Sequence, residues 1–243
     1  MAANQKKTKE KTYVYIDGFN LYYGCLRHTN YKWLNLEALC SNLLKENEIV
    51  KIKYFTARVS PRVDDEDAPL RQSAYLKALE TLDKVECYFG HFKQGVKPAR
   101  LVEPLITHNG QELESVKVLK TEEKGSDVNL ACHLLMDAFS SSFDCAVVIS
   151  NDSDLETPMR MVREKFRKKI GLINPHYDRN RKRVEAFNSR VGSGRKRKFY
   201  TAAQELMRQS DFFKVIREGL LQISQFPAVI ECKGRKIHKP EAW

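Results

Sequence analysis

A three-layer α/β/α domain built around a central, mostly parallel sheet is the fold class this chain predicts. Three observations carry it. The run Cys145-Ala146-Val147-Val148-Ile149 is apolar throughout and ends in Ser150-Asn151-Asp152-Ser153-Asp154. A short β-branched run without polar alternation reads as a strand buried on both faces, as in parallel sheets. Tyr13-Val14-Tyr15-Ile16 repeats the arrangement and ends in Asp17. Strand-like and helix-like segments then alternate along the chain, the pattern of βαβ units.

The elements follow in order. Residues 1–11 are polar and Lys-rich with no apolar stretch, so they read as a disordered basic arm and not a secretory signal. The first strand covers 12–17, and Gly18-Phe19-Asn20-Leu21-Tyr22-Tyr23 leads into a short helix. Leu36, Leu39 and Leu43 recur at helical spacing and predict a helix over 34–44. Residues 49–59 alternate and carry β-formers, which predicts a strand. An acidic, solvated loop spans 61–69 and includes Asp64-Asp65-Glu66-Asp67. A helix over 70–82 (Leu70, Ala74, Leu79, Leu82) precedes a strand over 85–92. Residues 96–120 read as irregular chain and a hairpin, with Asn109-Gly110 as its turn and Val116-Lys117-Val118 resuming a strand. A helix over 126–139 is capped near Ser126 or Asp127, followed by a strand over 146–150, a helix over 154–165 and a strand over 169–173. Helices over 201–207 and 212–223 and a basic terminus from Gly234 complete the chain. The organisation expected is a basic arm (1–11), an α/β domain (12–175), and a basic loop with a C-terminal extension (176–243).

Composition narrows the function classes. A chain of 243 residues that is 42% hydrophobic supports one sizeable core. The net charge of +11 predicts an anionic partner, nucleic acid before membrane. No apolar run approaches the roughly 20 residues that span a bilayer. Six cysteines form no Cys-x-x-Cys pair, which points to a cytoplasmic protein with neither disulfides nor a zinc site. Between Arg179 and Lys198 nine Lys or Arg face a single acid, Glu185. Arg179, Arg181, Lys182, Arg183, Arg195, Lys196, Arg197 and Lys198 suit an arm that tracks phosphates, with Gly192-Ser193-Gly194 as a flexible element. Tyr177, Phe187 and Phe199 lie near enough to stack on bases, which favours single-stranded RNA.

The chemistry centres on Asp17, Asp127, Asp152 and Asp154. Taken singly, each is as well explained as a turn former or helix cap. Together, at strand ends of an α/β chain, they form an acidic constellation suited to a hard cation such as Mg²⁺. Asn20, Ser150, Ser153 and Thr157 are placed to orient those carboxylates. Lys124, beside Asp127 in the chain, is a candidate phosphate contact. Asp137 is turned by about 80° from Asp127 on an ideal helix and reads as a solvent-facing group or a salt-bridge partner. The six histidines show no paired spacing, which leaves a His–His ribonuclease unsupported.

Three segments carry a resemblance. Tyr15-Ile16-Asp17-Gly18-Phe19-Asn20-Leu21-Tyr22-Tyr23 resembles the opening motif of the NYN domain family, whose fold is PIN-like. Lys124-Gly125-Ser126-Asp127-Val128-Asn129-Leu130-Ala131 is similar to its second motif, and Val148-Ile149-Ser150-Asn151-Asp152-Ser153-Asp154-Leu155 to its third. The third motif usually reads Ser-Gly-Asp-Ser-Asp-Phe. Asn151 stands here for the glycine and Leu155 for the phenylalanine, and Asn tolerates a left-handed backbone that would preserve the turn. The resemblance implies a metal-dependent endoribonuclease in which Asp17, Asp127, Asp152 and Asp154 hold Mg²⁺ or Mn²⁺ and a metal-activated water hydrolyses RNA. Two alternatives stand beside it. One is a non-catalytic RNA-binding module of the same fold. The other is a haloacid-dehalogenase-like phosphohydrolase, suggested by Asp152-Ser153-Asp154-Leu155-Glu156-Thr157. Phe212, Phe213, Leu220, Leu221 and Phe226 give the C-terminal extension an apolar face for a lid, a homodimer contact or a protein partner.

Overall fold

The computed structural model describes residues 8–61, 64–190 and 203–243, without the side chains of residues 177–180. Among the described residues the chain forms a seven-stranded sheet with helices on both faces, and a separate two-stranded ribbon. Strand β1 (Glu10–Asp17) is central and runs directly into the short helix α1 (Gly18–Leu21). It pairs in parallel with β2 (Asn47–Ala57) on one side and β5 (Cys145–Ile149) on the other. Outward from β2 lie β3 (Val85–Ile106) and β4 (Glu112–Lys124); outward from β5 lie β6 (Lys169–Asn174) and β7 (Phe212–Val215). Only the β3–β4 pairing is antiparallel in this sheet.

Alternation along the strands divides the core in two. Val14, Ile16, Val147 and Ile149 face one side, where they meet α2 (Leu36–Leu43) and α3 (Ala68–Leu79) through Leu39, Leu76 and Leu79. Tyr15, Ala146 and Val148 face the other, against α4 (Ser126–Phe139) and α5 (Glu156–Glu164) through Leu130, Leu134 and Met159. All five residues of β5 are buried, as its unbroken apolar run predicts. A largely buried ion pair fixes α4 to the sheet. Lys53 Nζ lies 2.6 Å from Asp137 Oδ2, and the Tyr15 hydroxyl donates to the same oxygen at 2.7 Å.

Four features differ from the sequence expectations. Residues 96–120 are not irregular: β3 runs unbroken to Ile106 and pairs back with β4 across a turn containing Gly110 at φ 75°. The pattern is hard to read because the hairpin stands away from the core, leaving Val96, Val102 and Ile106 exposed. Phe212–Val215 is a strand, not the start of a helix, because Phe-Phe-Lys-Val pairs with the open edge of β6. Only α8 (Glu218–Ile223) remains of the helix expected there. Glu10 and Lys11, assigned to the basic arm, open β1 and pair with Asn47 and Glu48; the rest of that arm before Thr8 lies outside the described residues. The first half of the basic loop is a helix, α6 (Tyr177–Asn188). Gly192-Ser193-Gly194, Arg195, Lys196, Arg197, Lys198 and Phe199, and the side chains of Tyr177 and Arg179, lie outside the described residues. The helix expected over 201–207 is α7 (Gln204–Arg208). No helix among the described residues is long and apolar enough to cross a membrane.

Gly171 shows why β7 fits. A Cβ there would run into the Phe212 ring, which lies across the glycine from the neighbouring strand. Gly171→Ala is expected to destabilise by about 1–3 kcal/mol through overpacking. Thermal unfolding should fall by roughly 2–4 °C per kcal/mol, and adding Phe212→Leu should restore part of the loss. An unchanged midpoint in Gly171→Ala would mean that β7 is not packed as described.

Candidate active site

The strand order places a crevice between β1 and β5, where the chain leaves the sheet in opposite directions. Ligands of open α/β sheets bind there, outside the carboxyl ends of the strands. Asp17 is the last residue of β1, and Asp152 follows β5 by three residues. Asp127 arrives from the side, in the first turn of α4. The residue before that helix, Gly125, has φ 98°, a left-handed conformation that glycine adopts without the Cβ penalty. One oxygen from each of Asp17, Asp127 and Asp152 lies within 4.8 Å of the other two.

The cluster is held by hydrogen bonds. The Asn20 N–H donates to Asp17 Oδ1 at 2.9 Å, and the Ser150 hydroxyl donates to Asp17 Oδ2 at 3.0 Å. Ser150 Oγ in turn accepts the Asp152 N–H at 3.1 Å, so one hydroxyl links two of the three acids. The Asn20 side-chain oxygen accepts the Asn151 N–H at 3.0 Å and ties the ends of β1 and β5 together. Of the residues expected to orient the acids, Ser150 meets Asp17 through its side chain and Asn20 through its backbone N–H. Thr157 does not: it is exposed and donates to Glu156 at 3.1 Å. Ser153 and Asp154 are exposed. Asp154 stands outside the three-acid cluster, and its N–H donates to Asp152 Oδ1 at 3.1 Å. The reason is local: a 3₁₀ turn over Ser153–Leu155 is capped by Asp152 and carries the next two side chains outward.

Asn151 is not left-handed: among the described residues, those other than glycine with positive φ are Ser141, Arg167 and Lys233. Its side chain has another task. Asn151 Oδ1 accepts the Ala203 N–H at 2.8 Å and pins the C-terminal segment to the site. Leu155, the other departure from the motif, is buried in the core beside Met159.

A groove of about 880 Å³ opens over the acids. Phe19, Tyr23 and Phe92 line it, with Phe19 stacked on Tyr23 at 6.5 Å and edge-on to Phe92 at 5.7 Å. Glu123 lies in its wall and caps α4, accepting the Ser126 N–H at 3.1 Å and the Ser126 hydroxyl at 2.8 Å. These four residues were not singled out from sequence; Glu123 three residues before Ser126 was the available signal, a cap working in reverse. Lys124 pairs with Glu122 at 3.2 Å. On α6 Arg181 pairs with Glu185 at 3.3 Å, and Lys182 and Arg183 are exposed.

Electrostatics suit the cluster to holding a cation. Burial raises Asp17, against hydrogen bonds from Asn20 and Ser150 that favour its ionised form. Asp127 is pushed up to about 6, first by burial and then by the charges of Asp17 and Asp152. An octahedral Mg²⁺ places its ligand oxygens about 3.0 Å apart in adjacent positions and about 4.2 Å apart in opposite ones. Three hard oxygen donors within 4.8 Å fit one such ion with small side-chain adjustments.

Because the folded carboxyl of Asp127 holds its proton up to about 6, its own contribution to stability without metal is fully present below about pH 4 and is lost as pH rises to about 6. Asp127→Asn is expected to reduce that fall and to abolish stabilisation by Mn²⁺ or Mg²⁺. Thermal unfolding in EDTA at both ends of this window, then with metal, measures both effects. An Asp127→Asn protein that is still stabilised by metal would remove Asp127 from the site.

Residues 11–191 match the family model described as NYN domain. Among curated relatives, 6-hydroxy-3-succinoylpyridine 3-monooxygenase HspA of Pseudomonas putida is 32% identical over 255 residues, covering 96% of this chain and 75% of that protein. Among solved structures, a protein of unknown function from Vibrio parahaemolyticus superposes with a TM-score of 0.50 at 17% identity, covering 88% of this chain and 97% of that one; this is a likeness of fold.

Proposed function

The chain belongs to the NYN domain family, and from that premise we propose that it is a metal-dependent endoribonuclease that hydrolyses RNA phosphodiester bonds. The observation that carries the reading is the convergence of Asp17, Asp127 and Asp152 at the sheet's switch point, with oxygens within 4.8 Å of one another. These three residues would hold Mg²⁺ or Mn²⁺. The ion supplies charge neutralisation for a bound phosphate and lowers the pKa of a coordinated water.

The protein's own residues position the substrate. Ser150 and the Asn20 backbone keep Asp17 aimed into the groove, and Ser150 fixes the start of the Asp152 turn. Phe19, Tyr23 and Phe92 offer ring faces for unpaired bases, which suits single-stranded RNA. A neighbouring groove of about 570 Å³ shares Tyr23 and is lined by Arg27, His28, Lys182 and Arg183, a basic track for the backbone on either side of the cut. In the reaction water oxygen bonds to phosphorus, the bond to the 3′ oxygen breaks, and that oxygen takes a proton. The products carry 5′-phosphate and 3′-hydroxyl ends.

A second reading rests on the 32% identity to a protein named as a pyridine monooxygenase. That chemistry needs dioxygen and a two-electron donor. The donor set favours hydrolysis, since three carboxylates suit Mg²⁺ or Mn²⁺ whereas oxygen-activating iron sites take two histidines and one carboxylate. The family assignment disfavours the dehalogenase-like alternative, and its threonine, Thr157, is exposed and hydrogen-bonds Glu156.

End-labelled single-stranded RNA incubated with Mn²⁺, Mg²⁺ or EDTA tests the proposal. Cleavage is expected only with metal and is lost in Asp152→Asn. Ser150→Ala should cost roughly 10–100-fold in metal affinity or rate, as loss of a ligand-orienting group usually does. Cyclic 2′,3′-phosphate products would overturn the hydrolytic mechanism. RNA binding without cleavage in any metal would favour the non-catalytic module. Oxygen-dependent consumption of a reductant with a hydroxypyridine would favour the second reading.

A further inference from the structure

Beside the acidic groove lies a second, more enclosed cavity of about 180 Å³. The two share Phe19, Tyr23 and Val59 as a common wall. Phe19, Tyr22, Tyr23, Tyr54, Tyr75 and Trp243 supply six rings around the smaller one. The inner rings are fixed: the Tyr75 hydroxyl donates to the Leu34 carbonyl at 2.8 Å, and Tyr75 packs edge-on against Trp243 at 5.8 Å. Drug-sized ligands occupy roughly 300–1,000 Å³, so this space suits one planar ring system.

The charges at its rim are three cations, Arg27, Lys32 and Arg71, and two acids, Asp64 and Asp65. Arg71 pairs with Asp65, and the Arg27 guanidinium sits 5.3 Å over the Tyr23 ring. Lys32 Nζ donates to the Thr29 carbonyl at 2.9 Å. Partial burial and the charges of Arg71 and Lys239 hold its ammonium below the ordinary lysine range. An anion between Lys32 and Arg71 would relieve that repulsion. A planar ring joined to an anion is the chemistry of a nucleotide.

Resting on the hydrolase reading above, we infer that this cavity is a base-recognition subsite. It takes the base of the nucleotide next to the cleaved phosphate among the rings, sets that nucleotide's own phosphate against Lys32 and Arg71, and so determines sequence preference. The shared Phe19–Tyr23 wall places it one step along the strand from the acids.

Isothermal titration of the full-length protein in EDTA with AMP, GMP, CMP, UMP and ribose 5-phosphate tests the assignment without requiring catalysis. At least one nucleotide should bind about tenfold more tightly than ribose 5-phosphate, and Lys32→Gln with Arg71→Gln should weaken it about tenfold, the worth of one charge-assisted contact. Trp243→Ala should weaken the nucleotide but not ribose 5-phosphate, while Asp152→Asn should leave nucleotide binding intact. Thermal unfolding checks that each variant is folded, and Lys32→Gln alone serves if the double variant is not. Equal binding of nucleotides and ribose 5-phosphate, unchanged affinity in the folded variants, or no binding by any nucleotide would overturn the subsite. Nucleotide binding in a protein inert toward RNA would overturn only the hydrolase reading. Metal-dependent cleavage without base preference or nucleotide binding would overturn only the subsite.

Discussion

Mutual repulsion among Asp17, Asp127 and Asp152 is the constraint around which this structure is organised. Three carboxylates within 4.8 Å of one another, at the edge of an apolar core, are unfavourable when all are ionised. Burial first, and the charges of Asp17 and Asp152 next, push Asp127 up to about 6; burial likewise raises Asp17, with a smaller contribution from Asp152. Such an arrangement persists only if the surrounding fold leaves the acids no room to separate. The fully buried β5 beside the nearly buried end of β1 fixes two of them. The third depends on where α4 sits, and α4 is anchored at both ends. Its start is capped by Glu123; eleven residues on from the first helical residue, Asp137 meets Lys53 and Tyr15 at the sheet.

That buried ion pair is better understood as a device for position than for stability. Replacing a buried pair by apolar residues is often neutral, whereas removing one partner is costly. Lys53 and Asp137 join a strand beside β1 to the helix that carries Asp127, so the rotation of α4 about its axis is set by a charge contact. Tyr15 shares the contact from β1 itself, two residues before Asp17. Sheet, helix and acids are thereby linked through a few polar atoms in an otherwise apolar layer.

Sequence reasoning recovered what depends on local pattern and missed what depends on distant partners. The strands ending in Asp17 and Asp152 were legible because a buried parallel strand is apolar on every residue and ends abruptly. Asp127 was legible through its motif, and Ser150 and Asn20 through their nearness to the acids. Asp154 and Thr157 illustrate the limit: a 3₁₀ turn capped by Asp152 leaves Asp154 exposed, Thr157 lies beyond that turn on α5 beside Glu156, and no periodicity announces either. The far half of the β3–β4 hairpin was unreadable because its apolar residues are exposed and its alternation does not track a core. The strand at Phe212–Val215 looked helical beside its neighbours and becomes a strand only because β6 offers an edge. Phe92 and Glu123 enter the site through hairpin register, a pairing 31 residues apart in the chain that sequence alone does not set.

The C-terminal segment is part of this architecture and not an appendage to it. Without β7 the edge of β6 would present unpaired backbone groups beside the site. Asn151, which stands between Ser150 and Asp152, accepts the Ala203 N–H, so the turn bearing an acid of the cluster is held from the C-terminal side. Further on, the chain crosses back to α2: Trp33 Nε1 donates to the Pro227 carbonyl at 2.8 Å, and Asn35 N–H to the Ser224 carbonyl at 2.8 Å. The same return path brings Trp243 against Trp33 and Tyr75 and closes one wall of the smaller cavity. A segment that completes the sheet, braces the acidic turn and walls a neighbouring cavity couples three properties at once. Substitutions in residues 203–243 that loosen it would therefore act on the site from a distance, through backbone contacts and not through any group that meets substrate.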